Sequence, residues 1–185
     1  MYPVFRMAKE AMLARRRPPL GLFEAHVSQH VCWPWDLDLW RELNNGRTLT
    51  LFDLGRIPLT VRLGLPPILS RQGWGMTVAG ASIRYRRRVR VFQRVEMRSR
   101  ILGWDARFLY LEQAMWREGE ALNHVLMRQA VTGPEGIVPP ARLVAALGGP
   151  ADRPALPGWV TAWIEAEAAR PWPPMQDGPV GAKRP

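Results

Sequence analysis

At 185 residues and 47% hydrophobic, the chain is long enough for one domain with a real core and too apolar to be disordered. A single cysteine, Cys32, excludes an internal disulfide framework and a cysteine-rich zinc site, and it suits a reducing, cytoplasmic setting. The net charge of +10 is almost all arginine, Lys9 and Lys183 being the only lysines; such a field draws nucleic acid, anionic membrane or a phosphate-bearing ligand.

Residues 1–19 form the first segment. Val4, Met7, Ala8, Ala11 and Met12 make one stripe at helical spacing, followed by Arg15, Arg16 and Arg17 at the end where cations suit the helix dipole. Pro18 and Pro19 stop the helix. A basic amphipathic helix of this kind packs on a domain or, less often, touches a membrane surface. It lacks the apolar run and cleavage site of a signal peptide, and no later stretch reaches the ~18 apolar residues of a membrane span.

The main domain is expected over residues 20–149. Residues 22–32 alternate: Phe23, Ala25, Val27 and Val31 on one face, Glu24, His26, Ser28 and His30 on the other, a half-buried strand with its histidines at the surface. His26 and His30 lie four strand residues apart, about 13 Å, too far for one metal ion. A second strand is expected from Ile83 to Val91, with Arg84, Arg86, Arg88 and Arg90 on its polar side and Arg87 interrupting the apolar one. Alternation resumes through Val95, Met97 and Ile101. Turns at Gly103-Trp104-Asp105 and Glu118-Gly119-Glu120 then separate strands at 106–117 and 121–132, an antiparallel meander. Helical stretches follow at 140–147 and 158–169, the second within a segment spanning 150–170. Residues 171–185 read as a flexible Pro- and Gly-rich tail.

Between the first two strands lies WPWDLDLWRELNNGRTLTLFDLGR, Trp33 to Arg56. Asn45-Gly46 is a hairpin signal and Thr48 to Leu51 alternates. Yet Leu49, Leu51, Phe52, Leu54, Ile57 and Leu59 are too many apolar residues for a half-exposed strand and suit a helix buried on nearly all sides. Asn44 would cap it, Asp53 and Arg56 would pair three residues apart, and Pro58 would kink or end it. Periodicity leaves both readings open.

The pattern Asp36-Leu37-Asp38, then Asn44-Asn45, then an apolar run closing on Asp53-Leu54-Gly55-Arg56 resembles the 4-hydroxybenzoyl-CoA thioesterase branch of the hot-dog superfamily. That family's motif is Asp-x-Asp-x-x-x-His-x-Asn-Asn-x-x-Tyr, and the likeness covers about residues 22–140. It implies an α+β fold, in which an antiparallel sheet of about five strands wraps a long central helix, and subunits that join their sheets into a homodimer or a dimer of dimers. Two positions depart from the motif: Glu42 stands in the histidine place and Thr48 in the tyrosine place. Asp36, Asp38 and Glu42 then crowd three acids into seven residues, which raises a pKa where they share a dry site.

The resemblance implies hydrolysis of an acyl-CoA thioester without a cofactor or metal. Asp38 would act as base or nucleophile, Glu42 as a further acid, and the amides of Asn45 and Gly46 would polarise the carbonyl from the helix N-terminus. Asp36 and Asn44 would hold the turn and cap the helix. Coenzyme A phosphates would meet Arg84, Arg86, Arg88 and Arg107. The competing readings are a non-catalytic acyl-CoA or CoA binder on the same scaffold, and a basic nucleic-acid-binding protein. Against the latter, no nucleic-acid motif is present and the arginines are spread over several strands.

Overall fold

The computed structural model describes residues 2–174, so most of the tail expected from residue 171 lies outside the described residues. The chain forms two compact units, residues 1–155 and 156–185, of which the second holds one described helix, α5 (Gly158–Ala169). In the first unit, chain order is α1 (Val4–Arg15), β1 (His26–Val31), α2 (Asn45–Arg62), α3 (Leu65–Gln72), β2 (Gly75–Tyr85), β3 (Arg94–Trp104), β4 (Leu109–Arg117), β5 (Glu120–Gly133), β6 (Gly136–Val138) and α4 (Pro140–Ala146). The main antiparallel path is β1-β3-β4-β5-β2, with β6 added to the end of β5. The inner face of this sheet wraps α2, giving the α+β hot-dog architecture.

Residues 45–62 take the helical reading, for two reasons. Asn44 sits in an extended conformation and its Oδ1 accepts from the Gly46 and Arg47 amides at 2.9 and 3.1 Å, satisfying two donors that an uncapped helix leaves bare. Leu51, Phe52, Leu54 and Leu59 are then almost fully buried, each worth about 1.5–3 kcal/mol relative to exposure. Of the two outcomes expected at Pro58, a kink or an end, the end does not occur: Pro58 is buried mid-helix, and α2 runs on to Arg62. Packing against the sheet outweighs the hydrogen bond that proline cannot donate. Asp53 and Arg56 do pair, three residues apart.

Three other expectations need correction. The second strand is Gly75–Tyr85, not Ile83–Val91, and residues 86–93 form a connection in which Arg90 bridges to Glu42. Helix α1 buries Glu10 and Ala14 and packs Met7 of the apolar stripe against the core, while Val4 and Met12 of that stripe stay exposed, so the packing face only partly coincides with it.

Strand β1 is turned the other way round. His26, Ser28 and His30 are buried, while Phe23 and Val27 are about two-fifths exposed. The reason is register. Directly opposed residues of an antiparallel pair share a face, and β1 pairs His26 with Ser99, Ser28 with Met97 and His30 with Val95, all inward-facing on β3. The buried polar atoms are partly matched: Ser28 Oγ lies 2.8 Å from His30 Nε2, and Arg62 Nη1 lies 3.3 Å from His26 Nδ1. Burial and the nearby arginines hold both rings neutral, lowering His26 from 6.5 to about 4 and His30 to about 3.

The two sheet edges differ. Along β1, Arg6 Nη2 and Arg17 Nη1 donate to the carbonyls of Val31 and Val27 at 2.9 and 2.8 Å, so α1 and the residues after it cover that edge. Strand β2, eleven residues long, ends the sheet on the other side with no strand beyond it among the described residues.

Candidate active site

The segment between β1 and α2 folds back on itself as a small loop. Leu37 bridges Leu43, the Asp38 amide donates to Glu42 O at 2.8 Å, and the Arg41 amide donates to Asp38 O at 3.1 Å. Arg41 takes a left-handed conformation (φ 59) to close the turn. Asp38 Oδ1 accepts from the amides of Trp40 at 2.9 Å and Glu42 at 3.3 Å. Its second oxygen has no hydrogen-bond partner among the described residues. The Leu43 amide donates to Val89 O at 2.8 Å, tying the loop to the β2–β3 connection.

This arrangement leaves a cleft of about 330 Å³ lined by Asp38, Glu42, Asn45, Tyr85, Arg86 to Arg88 and Asn123, with apolar Leu43 and Val89 between them. Of the residues singled out from the sequence, Asp38, Glu42, Asn45, Arg86 and Arg88 therefore meet in one place. Gly46 is at the same helix end, but its amide is already taken by Asn44, leaving Asn45 N–H as the amide there with no partner among the described residues. Arg84, exposed on β2, and Arg107, at the β3–β4 turn beside the Phe108 ring, do not line the cleft.

Of the three acids, Asp36 stands apart, whereas Asp38 and Glu42 share the cleft. Asp36 is turned into the protein and fully buried, its carboxylate held by Arg6 at 2.8 Å and Arg47 at 2.6 Å, with the Trp33 amide donating at 3.1 Å. It anchors the loop between α1 and α2, and its carbonyl accepts the Asn44 amide at 3.0 Å. Glu42 pairs with Arg88 at 3.2 Å. Each acid has its own neutralising partners or amides, so proximity in sequence does not become repulsion in space.

Tyr85 and Asn123 line the cleft without belonging to the motif. Thr48, in the place of the family tyrosine, is buried and donates to Asn44 O at 3.1 Å. A phenol arrives instead from β2: Tyr85 Oη donates to Asn45 O at 3.1 Å. Asn123 reaches the cleft from β5, directly opposite Tyr85 in register. Its only sequence signal is an amide within the apolar run Leu122 to Met127. Among the described residues no group of three His, Cys, Asp or Glu side chains is placed to hold a metal, and no helix is long and apolar enough to cross a membrane.

With this geometry in view, comparison with known proteins is informative. A family model described as thioesterase-like superfamily matches residues 32–164. Protein THEM6 of Xenopus laevis is 35% identical over 131 residues, 69% of this chain and 63% of that protein. Protein THEM6 of Danio rerio is 36% identical over 92 residues, 50% of this chain and 46% of that protein. The chain thus spans less than two thirds of the length of these relatives. Among solved structures, a DHNA-CoA thioesterase from Staphylococcus aureus superposes with a TM-score of 0.59 at 13% identity, covering 78% of this chain and 91% of that one. A 1,4-dihydroxy-2-naphthoyl-CoA thioesterase from Synechocystis gives 0.56 at 13%, covering 67% and 95%. At such identities these structures establish the fold alone.

Proposed function

The chain belongs to the thioesterase-like superfamily, and on that premise we propose that it hydrolyses an acyl-CoA thioester to the free acid and coenzyme A. The observation that carries this reading is Asp38 lining one cleft with the N-terminal residue of α2, its second carboxylate oxygen uncommitted. In the proposed reaction Asp38 takes a proton from water, and the resulting hydroxide attacks the thioester carbonyl. The oxyanion that forms is stabilised by Asn45 N–H at the positive end of the helix. Collapse expels the thiolate, which recovers the proton from Asp38. Direct attack by the carboxylate is the other route open to the same residue.

Tyr85 fixes the Asn45 peptide by donating to its carbonyl. Arg86 lines the cleft with no anionic partner among the described residues, and suits a coenzyme A phosphate. The open β2 edge supports a homodimer in which two copies join through that strand. A CoA binder without turnover is the second reading, favoured by Glu42: it is engaged with Arg88 and stands where the family has a histidine.

Asp38→Asn decides between them. Asparagine keeps an oxygen to accept the Trp40 and Glu42 amides, so the loop survives while the base is lost. We expect thiol release to fall by roughly two to four orders of magnitude, with acyl-CoA binding retained. Binding without turnover in the wild type selects the second reading, and full activity in the variant removes Asp38 from the chemistry.

A further inference from the structure

Asn123 is 4% exposed and lines the cleft, yet its Oδ1 has no hydrogen-bond partner. Its Nδ2 meets only Met115 Sδ at 3.9 Å, a weak acceptor. A buried amide left this way is costly, and native proteins rarely keep one without a use. With a single sulfur contact to hold it, the amide can turn about its Cβ–Cγ bond and offer either end to the cleft. Met115 on β4 and Tyr85 on β2 stand opposite it, Tyr85 Oη being committed to Asn45 O, and Val125 lies beside it on β5 with Gln113 opposite that, the Gln113 Nε2 being committed to Phe52 O and Ser99 Oγ.

The position matters as much as the chemistry. Asp38 and Asn45 come from the loop and the helix end, whereas Asn123 stands on the sheet, opposite Tyr85. A thioester seated at Asp38 directs its acyl group inward, past Leu43 and Val89. The cleft of about 330 Å³ holds roughly ten water-sized groups at about 30 Å³ each, which is room enough for a short acyl chain.

We propose that Asn123 is a specificity-determining residue that selects a short acyl group bearing a hydroxyl over the plain alkyl equivalent. A hydroxyl both donates and accepts, so it satisfies the amide in either orientation. An alkyl chain leaves the amide as unpaired as it is in the free protein, so only the hydroxylated substrate gains the hydrogen bond. This inference rests on the thioesterase reading, and its test separates the two.

The experiment compares 3-hydroxybutyryl-CoA with butyryl-CoA as substrates for the wild type and Asn123→Leu, by kcat/KM. In parallel, calorimetry measures binding of the non-hydrolysable thioethers S-(3-hydroxybutyl)-CoA and S-butyl-CoA. We expect the wild type to favour the hydroxylated member of each pair by roughly tenfold or more, and Asn123→Leu to lose that preference. If Asn123→Leu does not fold, Asn123→Val, a β-branched replacement suited to a strand, takes its place. Equal handling of both members by the wild type, or a preference that survives the substitution, overturns the proposal. If neither thioester is hydrolysed, the enzymatic reading fails, while the thioether pair still decides the role of Asn123. Failure of both thioethers to bind overturns the two together.

Discussion

Arg6 Nη1 lies 2.8 Å from Asp36 Oδ2, and no part of the Asp36 side chain reaches solvent. The pair joins the N-terminal helix to the loop that carries Asp38, and Arg47 completes the group from the first turn of α2. Removing one partner of a buried ion pair costs about 3–5 kcal/mol, because the other charge is stranded. Arg47 remains to hold Asp36, so we expect Arg6→Ala to cost about 3 kcal/mol, the low end of that range. Asp36→Ala strands two arginines and should cost more. Chemical denaturation of both variants and of the double mutant is the check. If Asp36→Ala proves no worse than Arg6→Ala, the group does not anchor the loop as described.

The inward histidines of β1 make stability depend on pH. Unfolded, each titrates near 6.5; folded, His26 titrates at about 4 and His30 at about 3, burial being the main cause and Arg62, Arg17, Arg6 and Lys9 adding to it. Above pH 6.5 both states are neutral and the stabilisation is complete. Below it the unfolded chain takes protons that the native state refuses, so stability falls, at about 1.4 kcal/mol per pH unit per histidine, until the folded values are reached. Glu10, whose pKa is raised by its own burial, works in the opposite direction near its titration. We expect denaturation midpoints to drop between pH 7 and pH 5, and His26→Gln to remove about half of that drop. A midpoint unchanged across this range would show that the rings are not buried neutral.

Much of the site was legible in the sequence because its signals are local. The Asn44 cap and the apolar run behind it lie within one segment; they allow α2 beside a hairpin, and the family resemblance of the same segment favours the helix. The arginine alternation of residues 94–100 marks the outer face of β3 for the same reason. What escaped is set by distant pairing. Alternation along β1 defines two faces but not which is inward; only the opposition of His26 to Ser99 decides that. Tyr85 and Asn123 meet across β2 and β5, thirty-eight residues apart in sequence. The partners of Asp36 come from thirty residues before it and eleven after. A count of nearby acids could not foresee that two arginines would hold Asp36 away from the other two.

Gly55 marks the closest approach of α2 to the sheet. A Cβ there would stand 2.6 Å from both Met97 Sδ and Ser99 Oγ. Met97 is fully buried, and Ser99 Oγ accepts from Gln113 Nε2 at 2.8 Å, so neither can retreat freely. Alanine gains about 1 kcal/mol of helix propensity, whereas overpacking a core costs about 1–3 kcal/mol. We expect Gly55→Ala to be destabilising on balance, by about 1–2 kcal/mol, with Gly55→Val worse. Thermal unfolding settles it: a raised melting temperature for alanine would mean the helix can move off the sheet.

The two sheet edges lead to a prediction about assembly. Arginines from α1 and the chain after it occupy carbonyls along β1, so that side is closed to another strand. Among the described residues no strand lies beyond β2, where Arg128 takes the Ala79 carbonyl at a bulge, and an eleven-residue edge strand is a template for pairing. Val78 lies on this strand and is 42% exposed. A second copy paired along β2 would surround it, and a charge placed there would meet its own counterpart across the two-fold axis. We therefore expect the wild type to sediment at about twice the 21.1 kDa chain mass and Val78→Lys to shift toward the monomer as concentration falls. Should the lysine variant remain as large as the wild type at low concentration, the subunits join elsewhere, and the open edge has another occupant.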